Sequence, residues 1–200
     1  MILDAKTAEN APVRRGAAAR LRLEKAALRC FVRRGIDAAT TKEIAKAARM
    51  AEGNLYRHFS SKEDLAWALY KDRLASFVAL LEEDARCDGG ARARLEALLG
   101  RFRRLLEEDP DTYAYIVLAQ HSLLNRTPKG MHTPTDVVAG ILAEGQKKGE
   151  VRAGSADLLA TLLVGMVIRV TLLKMSGHLE GGAAALEREL AGACWRVVAG

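Results

Sequence analysis

Apolar residues recur along this chain of 200 residues at the three-to-four spacing that places them on one side of a helix, and this pattern repeats nine times. From Gly16 to Arg34, Leu21, Leu28, Phe31 and Val32 share a face, and Gly35 is the expected stop. Thr40 and Glu43 have the spacing of a capping box and open a short helix with Ile44, Ala45 and Ala48 inside. A second short helix is expected over Ala51–His58, with Leu55 and Phe59 facing inward. Ser60 or Ser61 then caps a long helix carrying Tyr70, Leu74, Phe77, Val78 and Leu81, which should run to about Arg86. After the CDGG loop at 87–90, Leu95, Leu98, Leu99, Phe102, Leu105 and Leu106 mark a fifth helix. Asp109 as N-cap and Pro110 at the first helical position start a sixth, which should end near Asn125. Pro128, Gly130 and Pro134 interrupt the pattern around RTPKGMHT, and a seventh helix follows Thr133. The break at 149–155 precedes a helix over 156–175 that is apolar on nearly every side, and a last one over 183–198 repeats Leu186, Leu190, Cys194 and Val197. Both carry more apolar surface than one chain can cover, so they are read as a dimer interface.

Composition agrees with an all-α fold. Alanine and leucine supply 63 residues and proline only four. The longest apolar run, Leu158 to Leu173, has 16 residues and contains Arg169, so no membrane span is expected. The N-terminal segment lacks the apolar core of a secretory signal, and a cytoplasmic protein is expected. Cys30, Cys87 and Cys194 are odd in number and scattered, which suits neither a disulfide framework nor a zinc site. His58, His121, His132 and His178 form no metal-binding spacing, and no phosphate loop or dinucleotide fingerprint is present. The acidic runs at 82–84 and 107–109 lie near helix ends as solvated surface. No enzymatic activity, metal or cofactor is expected.

The net charge of +6 is unevenly placed: residues 1–65 hold 14 Lys/Arg against 8 Asp/Glu, while the remainder holds 17 of each. Arg22, Lys25, Arg29 and Arg33 make a stripe along the first helix, preceded by Arg14, Arg15 and Arg20. Cations crowded at a helix N-terminus oppose its macrodipole, and an external anion would remove that penalty. The two short helices and their tight connection make a helix-turn-helix, whose second helix enters the DNA major groove. Gly53 allows close approach of backbone to phosphate, while Tyr56, His58 and Lys62 supply phosphate contacts. Asn54 and Arg57 are the side chains suited to base edges.

Residues 24–65, and above all TTKEIAKAARMAEGNLYRHFSSKEDL, resemble the DNA-binding domain of the tetracycline-repressor (TetR) family. The likeness couples a Thr-capped helix, a four-residue turn, a recognition helix ending in Leu-Tyr-x-x-Phe, and Ser-Lys-Glu-x-Leu opening the next helix. It implies an all-α homodimer with an N-terminal three-helix helix-turn-helix domain and a C-terminal helical domain that binds a small-molecule effector and dimerises. The chain divides accordingly into a flexible basic arm over 1–15, the DNA-binding domain over 16–61 and the ligand-binding and dimerisation domain over 62–200. The expected partners are a palindromic double-stranded DNA operator, a second copy and an unidentified effector whose binding releases a repressor. The expected DNA-contacting set is Arg14, Arg15, Thr40, Thr41, Lys42, Glu52, Gly53, Asn54, Tyr56, Arg57, His58 and Lys62. Candidate effector contacts are Phe102, Tyr113, Val117, Gln120, Leu142, Met166 and Arg169, the last as a charge in need of a partner. A helical ligand- or partner-binding dimer that has lost operator affinity is the alternative. Two residues depart from the family pattern: Arg49 replaces the usual turn glycine, so different turn dihedrals are expected there, and Ala51 replaces a frequent capping serine.

Overall fold

The structure, a computed structural model, describes the backbone of residues 10–200 and the side chains of residues 16–200. Residues 1–9 of the expected arm, and the side chains of Arg14 and Arg15, lie outside what it describes. The described residues fold as α1 (Asn10–Ala38), α2 (Thr41–Ala47), α3 (Gly53–Tyr56), α4 (Lys62–Asp84), α5 (Ala91–Glu108), α6 (Pro110–Ser122), α7 (Pro134–Lys147), α8 (Ala156–Met175) and α9 (Ala183–Val198), with a 3₁₀ turn at Leu124–Arg126. They form two compact units, one holding the described residues up to Lys71 together with Leu118–Arg126, the other Asp72–Val117 and Thr127–Gly200. Helices α4 and α6 therefore have residues in both units.

In the first unit, α1 starts at Asn10, earlier than the periodicity indicates, and its helical geometry breaks where expected, at Gly35 with φ 79°. Of its expected face, Leu28 and Phe31 are buried, Val32 is half-buried and Leu21 is not buried. Leu23, Ala26, Ala27 and Phe31 point inward, whereas Leu21 is 48% exposed, because two positions of separation place it nearly opposite Leu23. Thr40 closes the predicted capping box with Glu43, whose carboxylate accepts from both the Thr40 backbone N–H (3.1 Å) and its hydroxyl (3.0 Å). Ile44 and Ala45 are buried, as are Leu55, Leu65 and Leu69. Ser61 is the cap of α4, its hydroxyl accepting from the Asp64 N–H at 3.0 Å. Asp64 in turn accepts from Arg126 at 3.0 Å, which holds its carboxyl below the usual range and ties the 3₁₀ turn to the start of α4.

The second unit begins its core with Leu74, Phe77 and Leu81 of α4. Helix α7 packs on α5 and α8, and α9 on α5 and α8. Asp109 caps α6 through the Thr112 N–H at 3.1 Å, and Asp136 binds both the N–H and the hydroxyl of Thr133 at the start of α7. The predicted break after α7 is a fastener between helix ends. Val151 pairs with Ala199, the Arg152 N–H donates to Val198 O at 2.9 Å, and Gln146 Nε2 donates to the carbonyls of Arg152 and Gly154. By length and composition α8 is long and apolar enough to cross a membrane, contrary to the expectation from its 16-residue apolar run. Within the protomer it buries Leu159, Ala160, Leu163 and Val167, the behaviour of a helix packed in a bundle. Its other side leaves Leu158 60% and Leu162 47% exposed, with Gly165 and Arg169 also outside.

Asp84, at the end of α4, accepts a two-pronged bond from Arg101 (2.7 and 2.8 Å) and a third contact from Arg104 (3.2 Å). Arg101 is the main reason its carboxyl is held below the ordinary range. A lowered folded-state value contributes stability that is complete above the unfolded carboxylate range and is lost as pH falls through and below it. Asp84→Asn should therefore lower stability at pH 7 by about 1.5–3 kcal/mol, the worth of a hydrogen bond to a charged group. Thermal melts at pH 7 and pH 3 should show the gap between variant and wild type closing in acid; a gap that persists at pH 3 would mean that packing, not the charge, is at stake.

Candidate nucleic-acid interface and effector cavity

The helix-turn-helix is built from very little chain. Helix α3 is a single turn, Gly53–Tyr56, shorter than the expected Ala51–His58. Glu52 occupies its N-cap position without a side-chain cap bond, and the flanking residues are held by i→i−3 bonds such as Asn54 N–H to Ala51 O (2.9 Å) and His58 N–H to Leu55 O (3.0 Å). Leu55 is fully buried and anchors this turn, so the residues around it are presented outward. Tyr56 is 54% exposed, Lys42, Gly53 and Arg57 are exposed, and Asn54 and His58 are half-buried. A Cβ added at Gly53 would meet nothing within 4 Å, so the backbone there is open to approach.

Four of the expected contacts are also braces. The Thr41 hydroxyl donates to Glu52 at 2.5 Å, linking the start of α2 to the start of α3. Thr40 is engaged in its capping box, and Arg34 of α1 is paired with Glu43. The Lys62 side chain is only 17% exposed and its Nζ donates to the Asp37 carbonyl at 2.9 Å, so it neutralises the end of α1 in addition to any phosphate it meets. Arg20 is bonded to Glu24 at 2.8 Å and lies over the Phe59 ring, 5.2 Å from its centre. Arg22, Lys25, Arg29 and Arg33 are exposed along α1.

The turn does not take the altered dihedrals expected from Arg49. The Arg49 N–H donates to Lys46 O (3.1 Å) and the Met50 N–H to Ala45 O (2.9 Å), the paired bonds of a Schellman ending. These bonds demand a left-handed residue between them, and Arg49 adopts φ 54°. An L residue there costs roughly 1–2 kcal/mol relative to a right-handed conformation.

In the second unit, two narrow clefts of about 30 Å³ each lie among α5, α8 and α9 and share Leu99, Phe102 and Val167 in their walls. One is lined only by apolar side chains and Cys194, including Leu95, Leu98, Val138 and Val164. The other continues along Leu106, Val170, Leu186 and Leu190 to an edge formed by Arg103, Lys174, Glu187 and Thr171. Arg103 donates to Glu187 at 2.5 Å, and Lys174 Nζ to the Gly181 carbonyl at 2.6 Å. Phe102 meets Phe77 of α4 edge-on at 4.9 Å and Tyr113 of α6 at 6.4 Å between ring centres. The Tyr113 hydroxyl donates to Thr171 Oγ1 at 2.7 Å, and burial pushes its pKa up to about 12.

Of the expected effector contacts, Phe102 lines the clefts. Tyr113 stands behind that wall, and Val117 and Leu142 are buried among the core residues without lining either cleft. Met166 is half-buried, and Gln120 and Arg169 are exposed. Arg169 lies on the outer side of α8 with Leu158, Leu162 and Gly165. A larger, open polar cleft lies between Glu82, Arg86, Arg94, His132, Asp136 and Glu144, in which His132 pairs with Glu82 at 3.0 Å and Arg94 with Glu144 at 2.6 Å, while the buried Arg94 Nε has no partner.

Comparison with known proteins places this geometry. Residues 23–69 match the family described as bacterial regulatory proteins, tetR family. The fatty acid metabolism regulator protein of Bacillus subtilis (strain 168) is 28% identical over 146 residues, spanning 70% of this chain and 74% of the relative. The HTH-type transcriptional repressor KstR2 of Rhodococcus jostii is 36% identical over 69 residues, 34% of each chain. The crystal structure of the regulator FadR from Bacillus subtilis in complex with stearoyl-CoA superimposes with a TM-score of 0.73 at 23% identity, covering 87% of this chain and 96% of that one. Together with the exposed turn of α3 on its braced α2, these likenesses make residues 23–69 a DNA-binding domain of the tetR family of bacterial regulatory proteins, in a chain similar to transcription regulators rather than to enzymes.

Proposed function

We propose that this protein is a homodimeric repressor that binds a palindromic operator through α3 and is released when a long-chain acyl effector parts α5, α8 and α9 along the apolar clefts of its second unit. The observation that carries the reading is the polarity of those clefts: an apolar end at Leu95, Leu98, Val138 and Val164, and a charged edge at Arg103, Lys174 and Glu187. An amphiphile with a long hydrocarbon chain and a polar head matches such a gradient, and the FadR relative binds stearoyl-CoA. The apolar chain supplies affinity by leaving water, and the few polar groups fix its direction.

Parting the clefts acts through Phe102, which abuts both α4 and α6, the two helices that also carry residues of the DNA-binding unit. An effector shifts DNA affinity only by its differential affinity for the two states, so DNA must weaken effector binding to the same degree. The DNA contacts proposed are Lys42, Gly53, Tyr56 and Arg57, with Asn54 and His58 at the edge of the exposed surface, Thr40, Thr41, Glu52 and Lys62 as contacts that double as braces, and Arg14 and Arg15 ahead of the described side chains of α1. The exposed stripe of Leu158, Leu162 and Gly165 on α8, with α9, is the proposed subunit interface.

The test is a titration of DNA-bound protein with stearoyl-CoA, with coenzyme A alone as the control. Release by the acyl compound and not by coenzyme A is expected, and Val167→Trp, which fills the wall shared by both clefts, should abolish the response while leaving DNA binding intact. Release by coenzyme A alone, or a Val167→Trp protein that responds normally, would place the effector elsewhere.

A further inference from the structure

We infer that Lys42, Lys46 and Arg49 form a strip that grips the DNA backbone, and that the strained conformation of Arg49 persists because its guanidinium engages a phosphate. Lys42 and Lys46 stand one turn apart on the same side of α2, and Arg49 follows directly after the end of that helix. All three are exposed. The acidic residues nearest in sequence are committed elsewhere: Glu43 to Thr40 and Arg34, Glu52 to Thr41. Among the described residues none of the three cations has an ion-pair partner.

Arg49 is the only residue other than glycine with a positive φ among the described residues. The two Schellman bonds fix that conformation whatever the side chain, so glycine would serve the turn better and arginine adds nothing to it. Such strain persists where a side chain is used, and a cation beside the recognition turn of a DNA-binding head has phosphate as its natural counterpart. A solvated arginine would explain the exposure but not the retained strain; a bond to the DNA backbone explains both.

This inference rests on the DNA-binding reading of the first unit, and the experiment separates the two. Wild type, R49G and R49K of the full chain are compared by thermal melting and by salt titration of binding to a mixed-sequence DNA duplex starting at low salt. R49G should melt about 2–4 °C higher, because glycine relieves the turn. It should also bind more weakly, with log K against log salt shallower by about 0.9 for each phosphate that arginine no longer neutralises. R49K keeps the charge and the strain, and should keep the wild-type slope and melting temperature. An R49G protein with the wild-type slope would overturn the phosphate contact, and one that melts no higher would overturn the strain. A wild-type protein with no affinity for duplex DNA would instead overturn the DNA-binding reading itself.

Discussion

Leu162→Glu is expected to turn a dimer into a monomer. Leu162 and Leu158 stand 47% and 60% exposed on a helix that is otherwise one of the most apolar segments of the chain, and Gly165 lies on the same exposed side. A twofold interface uses each residue twice. Burying one leucine is worth about 1.5–3 kcal/mol, so the substitution removes roughly 3–6 kcal/mol, about 10²- to 10⁴-fold in the dimer dissociation constant. A carboxylate facing its own copy adds repulsion. Folding of the protomer should be nearly unchanged, since the side chain makes little of the internal core. Sedimentation velocity at micromolar concentration reads the result directly. A wild-type monomer, or a variant that dimerises as well as wild type, would show that the stripe is not the interface.

The second large effect is on sequence preference. Arg57 is exposed beside the buried anchor Leu55, and Asn54 is half-buried one residue before it. Arg57→Ala should cost about 1–3 kcal/mol at one base pair and little at others, as expected when a base-reading side chain is removed. Asn54→Ala should act in the same way but less strongly, because part of that side chain is already covered. Tyr56→Phe removes only a hydroxyl from an exposed ring and should weaken all sequences alike. Lys62→Ala should lower melting temperature as well as affinity, because its ammonium also holds the Asp37 carbonyl. Binding to a randomised duplex library reads all four variants together; an even loss for Arg57→Ala would mean that this side chain meets phosphate and not bases.

The helix starts were legible because each is written in local chemistry. Thr40 with Glu43, Ser61 with Asp64, Asp109 with Thr112, and Thr133 with Asp136 are contacts three residues apart, and they hold in the structure. The Gly35 break is equally local. On α1, Leu28 and Phe31 are buried as their spacing indicates, but Leu21 is not, because only tertiary contact decides whether Leu21 or Leu23 faces the core. Arg49 shows the opposite failure: its side chain suggested a changed turn, but the two hydrogen bonds across the turn outweigh the preference of a single residue. The clefts were only partly legible. Core and cleft walls share the same helical spacing, so Phe102 was found, while Val167, Val170, Leu186 and Lys174 depend on how α5, α8 and α9 come together. The Asp84–Arg101 pair, 17 positions apart across a loop, carries no sequence signature.

On the function proposed, this chain reads DNA as a twofold dimer and releases it to an acyl ligand. The most direct measurement is selection of bound fragments from the genome of the source organism, followed by footprinting of the enriched site with and without stearoyl-CoA. Two protected half-sites should appear, related by a twofold axis and spaced by about one helical turn, roughly 34–36 Å, or a multiple of it, and protection should vanish with the acyl ligand. No enrichment of any fragment at low salt, or a single protected site without a symmetric mate, would contradict the account.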